Sequence, residues 1–158
     1  MNIELRLCSW KLQFIFQRYQ KVYGVNSDLD DGSHFLMWDF DQCELSEVLD
    51  SLREVQRKFR LPNIYVIQTD RRGSYHAYCF AKKTWAEAVF ILMSTRHCDQ
   101  GFIKLAVLRG YITLRITPKR RKDGTWEGFR RVAVLPSDVG EEVDPGAIYN
   151  FVEYWTKR

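Results

Sequence analysis

Residues 35–41 read FLMWDFD, an apolar run that carries Asp39 and Asp41 two positions apart. A strand alternates its faces with period two, so Phe35, Met37, Asp39 and Asp41 point one way and Leu36, Trp38 and Phe40 the other. Two like charges side by side repel, and neither is easily buried without a partner. The pair is either a strand end fraying into solvent or a site for something cationic, a metal ion above all. Carboxylates are hard oxygen donors suited to Mg²⁺ or Mn²⁺, ions that keep waters and also take substrate phosphates. In two-metal phosphoryl transfer, paired acids hold the ions that clamp the attacking and leaving oxygens.

A second candidate set lies in GSYHAY, residues 73–78, where Ser74 and His76 share one strand face. Further on, GYITLRITPK (110–119) alternates so that Ile112, Leu114 and Ile116 form a core face and Arg115 projects from the other. Arg115 and Lys119 are suited to neutralising a triphosphate. Each residue also has an ordinary structural reading: His76 as a core histidine, Ser74 as a turn residue, Asp99 as a cap.

The elements that would position these groups follow from periodicity and turn chemistry. After a polar turn at 28–34, the DFD strand comes first. Val48, Leu49, Leu52, Val55 and Phe59 recur at helical spacing over Ser46–Arg60, with Ser46 as N-cap and Pro62 as stop. NIYVIQT (63–69) and SYHAYCF (74–80) flank the turn DRRG and read as a hairpin. Thr84 caps a second helix reaching about Arg96, and GYITLRIT closes as a strand. KRRKDGTWEGFRRVAVL (119–135) reads as a hairpin turning at Asp123-Gly124, and DPGAIYNFVEYW (144–155) as a short helix. Residues 3–23 mix strand and helix signals and decide neither.

The order from 34 to 117 is therefore β-α-β-β-α-β. The fold class is α+β: an RRM-like or ferredoxin-like split βαβ core with an open sheet face, plus a C-terminal hairpin and short helix. The sheet order of that topology is 4-1-3-2, which puts the DFD strand and the S-x-H strand side by side. Asp39, Asp41, Ser74, His76 and Arg115 then gather on the open face.

At this point a resemblance becomes visible. LMWDFD followed by GSYHAY resembles the first two motifs of the archaeo-eukaryotic primase superfamily, hydrophobic-Asp-x-Asp/Glu and small-x-His on an RRM-like core. The likeness is to small plasmid- or phage-type members and covers about residues 34–120. It implies Asp39 and Asp41 as metal ligands for Mg²⁺ or Mn²⁺, and Ser74 and His76 as contacts to the phosphates of an incoming nucleotide. Asp99 in RHCDQGF falls where the family has a third acid, although it follows a cysteine rather than a clear strand. GYITLRITPK resembles the closing strand, with Arg115 and Lys119 as nucleotide contacts. The implied activity is template-dependent nucleotidyl transfer, with nucleoside triphosphates, a DNA template or primer and other replication proteins as partners. The alternative is a non-catalytic RRM-like single-strand-binding module, or an inactive replication-protein relative. A nicking initiator is disfavoured because no His-x-His occurs in the chain.

Bulk properties agree with this frame. The 158 residues suit a single domain, and 15% aromatic residues suit a compact core or a surface that stacks on flat ligands. Net charge is +4, but ten basic and three acidic residues lie between Arg96 and Arg131, so that segment carries +7 and the remainder −3. Such asymmetry suits a polyanion partner, with Arg120, Arg121, Lys122, Arg130 and Arg131 facing nucleic acid. Cys8, Cys43, Cys79 and Cys98 form no C-x-x-C pair and read as free thiols. No apolar run is long enough for a membrane span and MNIELRLCSW does not read as a signal peptide, which points to an intracellular protein; the resemblance implies the cytoplasm of a prokaryotic host.

Overall fold

The computed structural model describes residues 2–7, 10–15, 19–70, 73–120, 124–142 and 151–157. Where described, the undecided N-terminal stretch is all strand. β1 (Asn2–Leu7) pairs antiparallel with β2 (Trp10–Ile15), and β3 (Tyr19–Asn26) follows. The expected core elements then appear in order. They are β4 (His34–Phe40), α1 (Leu45–Phe59), β5 (Ile64–Gln68), β6 (Tyr75–Lys83) and α2 (Trp85–Ser94). Helix α1 begins slightly earlier than Ser46. Glu44 is its N-cap, and the Glu47 carboxylate accepts from the Glu44 N–H at 2.9 Å. Thr84 caps α2 as anticipated, its hydroxyl oxygen accepting from the Glu87 N–H at 3.3 Å.

Helix α3 (Gln100–Arg109) was not anticipated; Asp99 caps its start and Gly110, with a positive φ of 82°, ends it. The closing strand is short, β7 (Thr113–Arg115), and is followed by β8 (Lys119–Arg120), β9 (Trp126–Glu127), β10 (Arg130–Leu135) and β11 (Phe151–Lys157).

Three strands keep the expected neighbours, since the larger sheet runs β10-β5-β6-β4 with every pair antiparallel. The fourth does not. β7 pairs with β3 in a separate sheet, β11-β3-β7, rather than extending the ladder beside β4. The cause is the return from β3 to β4. Ser27, fully buried, exchanges bonds with Ile112 through its N–H (2.9 Å) and hydroxyl (3.0 Å), while its carbonyl accepts from Phe35 (3.0 Å). That residue therefore satisfies part of the edge of β4 that β7 would have used.

The C-terminal expectations also change. Only β8 and β9 form the hairpin around Gly124, and Asp123 lies outside the described residues. RRVAVL instead joins β5 as an outer strand, held by the Gln56 side chain, which donates to the carbonyls of Pro62 and Leu135 at 2.9 Å each. The expected short helix at 144–155 is a strand over its described part, because residues 151–157 pair along the length of β3. Residues 144–150 lie outside the described residues.

The open face expected on β4 is also mostly closed. Phe35, Leu36, Met37, Trp38 and Phe40 are all buried, so both faces of the strand lie in the core. On one side the Trp38 indole N–H donates to Thr95 at the end of α2 (2.9 Å). Val25 on β3, Ile112 just before β7 and Leu114 on β7 belong to the same apolar cluster as the buried residues of β4. No helix among the described residues is long and apolar enough to cross a membrane.

One contact fixes the β5–β6 turn against the end of β4. The Gly73 carbonyl accepts from the Cys43 N–H at 2.9 Å, and a Cβ at Gly73 would stand 2.4 Å from the Cys43 carbonyl oxygen. Gly73 also has a φ of 79°, whereas Gly110 has a similar φ but open space around it. Gly110→Ala should cost about 1–2 kcal/mol from left-handed backbone strain alone. Gly73→Ala should cost clearly more, because the strand end and turn must also separate. Urea denaturation of the two variants measures the difference; equal losses would show that the turn does not press on the Cys43 loop.

Candidate functional site

The hairpin register sets the centre of the site. Asp39 on β4 lies directly opposite His76 on β6, and His76 opposite Ile67 on β5. Directly paired residues share a face, so Met37, Tyr78 and Tyr65 form the next row of that surface. The His76 Nε2 is 3.6 Å from Asp39 Oδ1, and its Nδ1 is 3.4 Å from the Tyr78 hydroxyl. The Phe129 ring, half-buried, sits 6.0 Å from the imidazole. Strand alternation places Tyr78 on the His76 face, whereas Phe129 was not expected and arrives from a segment with no local signal.

The remaining acids approach from two loops. Asp41 follows the end of β4 and is exposed. Asp99 reaches the site because its N–H donates to the Asp39 carbonyl at 2.8 Å, which anchors the start of α3 behind the strand. One Asp99 carboxylate oxygen accepts the Phe102 N–H at 2.5 Å as a helix cap. Asp99 is thus a helix cap whose negative charge also acts on Asp39.

Ser74, half-buried, stands just before β6, where its carbonyl accepts from Thr69 (2.9 Å) and its N–H donates to Asp70 (3.3 Å). Arg115 is half-buried on β7 opposite Gly24, and its charge acts on both Asp39 and His76.

The basic residues divide. Arg131 pairs with Ile67 and so shares the face of His76 and Asp39, at the far edge of the sheet; Arg130, its neighbour, faces the other way opposite Gln68. Only the backbone of Lys119 and Arg120 is described, and Arg121 and Lys122 lie outside the described residues.

Burial dominates the electrostatics of the central pair. Asp39 is pushed up to about 7, first by burial and then by the negative charges of Asp41 and Asp99, against an opposing pull from Arg115. His76 is pushed down to about 4 by burial and by Arg115. An imidazole beside two carboxylates would ordinarily favour its charged form, but with side-chain exposures of 10% for His76 and 27% for Asp39, desolvation outweighs attraction. At neutral pH His76 is an uncharged imidazole, with one ring nitrogen donating and the other accepting.

A divalent ion fits this donor set in a specific sense. Among the described residues no three His, Cys, Asp or Glu side chains converge as a metal cage. Asp39 and Asp41 together supply hard oxygens, and the pressure on Asp39 to stay protonated is what a cation would relieve. Mg²⁺ commonly binds through one or two carboxylates, with waters and substrate phosphates completing the shell.

The opposed shifts have a signature in stability. Asp39 is raised in the folded state, so it destabilises increasingly as pH climbs from about 4 to about 7. His76 is lowered, so its contribution is lost as pH falls from its ordinary value through about 4. The slopes offset one another in that interval. Asp39→Asn should unmask the histidine, giving stability that rises with pH by up to about 1.4 kcal/mol per unit relative to the parent. His76→Gln should unmask the opposite slope. Denaturant midpoints from pH 4 to 7 read both; parallel curves for parent and variants would refute the shifts. Compared with family models, with curated proteins and with solved structures, the chain matches none of them.

Proposed function

We propose that the chain is a template-dependent nucleotidyltransferase of the primase-polymerase type. The observation that carries this reading is the pairing of Asp39 with His76 on adjacent strands, with Asp41 beyond the strand end and Arg115 near enough to act on both. In the reaction a strand's 3′-hydroxyl forms a bond to the α-phosphorus of a nucleoside triphosphate, and the bond to pyrophosphate breaks.

Asp39 and Asp41 hold the divalent cation, and Asp99 adds negative potential from the helix cap. When bound, Mg²⁺ or Mn²⁺ supplies charge neutralisation and orientation of the reacting oxygens. The neutral His76 donates a hydrogen bond to a phosphate oxygen, and Ser74 stands ready to do the same from the turn. Arg115 offsets triphosphate charge. Arg131, on the same face, tracks the template or primer backbone, with Lys119 and the following basic run in support. Catalysis of this kind is mainly alignment and electrostatics.

A second reading is a non-catalytic single-strand-binding module or silent relative. It is favoured by the use of Asp99 as a cap and by the lack of a three-ligand cluster among the described residues. It is disfavoured by acids on the binding face, which repel a phosphate backbone.

Calorimetric titration with a nonhydrolysable triphosphate and Mn²⁺ separates the two. The parent should bind, Asp39→Ala with Asp41→Ala should abolish binding and primer extension, and His76→Ala should weaken binding about 10- to 150-fold, the value of one hydrogen bond to a charged group. Failure of the parent to bind the triphosphate at about millimolar concentration would sink the enzyme reading.

Arg131→Ala should weaken DNA binding and flatten its salt dependence, while Arg130→Ala should do less. Equal effects would place both arginines in ordinary surface roles.

A further inference from the structure

Helices α2 and α3, joined by residues 95–99, touch one another, and both are apolar on more than one side. Their inner sides bury Ala88, Ile91 and Leu92 on α2, and Ile103 and Ala106 on α3. On the outer side, three residues apart on each helix, stand Phe90 and Met93 (59% and 66% exposed) and Leu105 and Leu108 (50% and 83%). Single exposed apolar residues need no explanation, but four on the outer faces of two adjacent helices mark an interaction surface.

The margin of this surface is basic. Lys58 lies 5.8 Å from the Phe90 ring centroid. Lys104 and Arg109 on α3 are exposed, one helical turn from Leu108 and Leu105 respectively. The only acid on the two helices, Glu87, is engaged with the Thr84 hydroxyl at 2.7 Å, at the opposite end of α2 from Met93. A two-fold contact between identical copies would bring these cationic margins together. The stripe is also far narrower than the roughly 20–30 residues a side of a standard protein interface. It is as wide as the apolar face of one helix.

We propose that the outer face of α2 and α3 docks an amphipathic helix of a partner protein whose apolar stripe is flanked by Asp and Glu. The occupant lies across these exposed apolar side chains and places its carboxylates against Lys58, Lys104 and Arg109. The Asp39–His76 surface lies on the other face of the sheet from the Trp38–Thr95 contact with α2, so docking leaves that surface free.

The test uses the full chain and two fluorescein-labelled synthetic helices of about 18 residues, with the same leucine stripe and either glutamates or lysines elsewhere. Fluorescence anisotropy should show binding of the acidic peptide, at least about tenfold tighter than the lysine peptide. Met93→Asp with Leu108→Asp should remove it without lowering the melting temperature, since neither side chain is buried. Lys104→Glu with Arg109→Glu should invert the preference. Equal binding of both peptides, no binding at about 1 mM, or insensitivity to the substitutions would overturn the proposal. Sedimentation showing self-association that Leu108→Asp abolishes would also overturn it, by assigning the face to a second copy.

Discussion

The burial of β4 on both faces is the constraint from which the rest follows. Four successive residues, Phe35 to Trp38, are removed from water, which a strand achieves only when apolar layers cover it on either side. One layer is helical, reached through the Trp38–Thr95 bond, and Val25, Ile112 and Leu114 share the apolar cluster in which the strand is embedded. A one-residue slip would carry Asp39 into one of these layers, so the register with β6 is held firmly. That same register sets Asp39 opposite His76.

Asp39 is consequently the point where a dry interior meets a charged surface. Its carboxylate and the imidazole beside it are each driven towards the neutral form, one upward to about 7 and the other downward to about 4. Asp41 and Asp99 add negative potential without adding burial, and Arg115 answers only part of it. Under the proposed function, a divalent cation would balance that negative potential. Structural ion pairs look different: Asp31 and Lys82, 2.6 Å apart on the surface, neutralise each other directly.

The loops that carry the outer acids are fixed chiefly by backbone bonds, with the Asp99 cap adding a side-chain tie. The Asp99 N–H bonds to the Asp39 carbonyl, and the Gly73 carbonyl takes the Cys43 N–H two residues beyond Asp41. Each loop is therefore tied within a residue or two of an acid. The helical side of the sheet is organised separately, so one face holds the candidate site while the helices on the other carry the exposed Phe90, Met93, Leu105 and Leu108.

Local pattern determined much of this from sequence alone. The alternation of HFLMWDF, the helical spacing of Val48, Leu52 and Val55, the Thr84 cap and the turn between NIYVIQT and SYHAYCF specify the elements, and with the split βαβ order they make Asp39 and His76 neighbours. These signals are local because the interactions that produce them span only a few residues. Only the tertiary structure decided that β7 leaves β4 for β3, that RRVAVL becomes an outer strand on β5, and that residues 151–157 pair with β3 instead of turning helical. Those segments are short, and their pairing depends on partners tens of residues away, such as Ile112 for Ser27 and Leu135 for Gln56. The charge states of Asp39 and His76 were equally out of reach. Alternation shows which way a side chain points, but its protonation depends on how much water the rest of the fold removes.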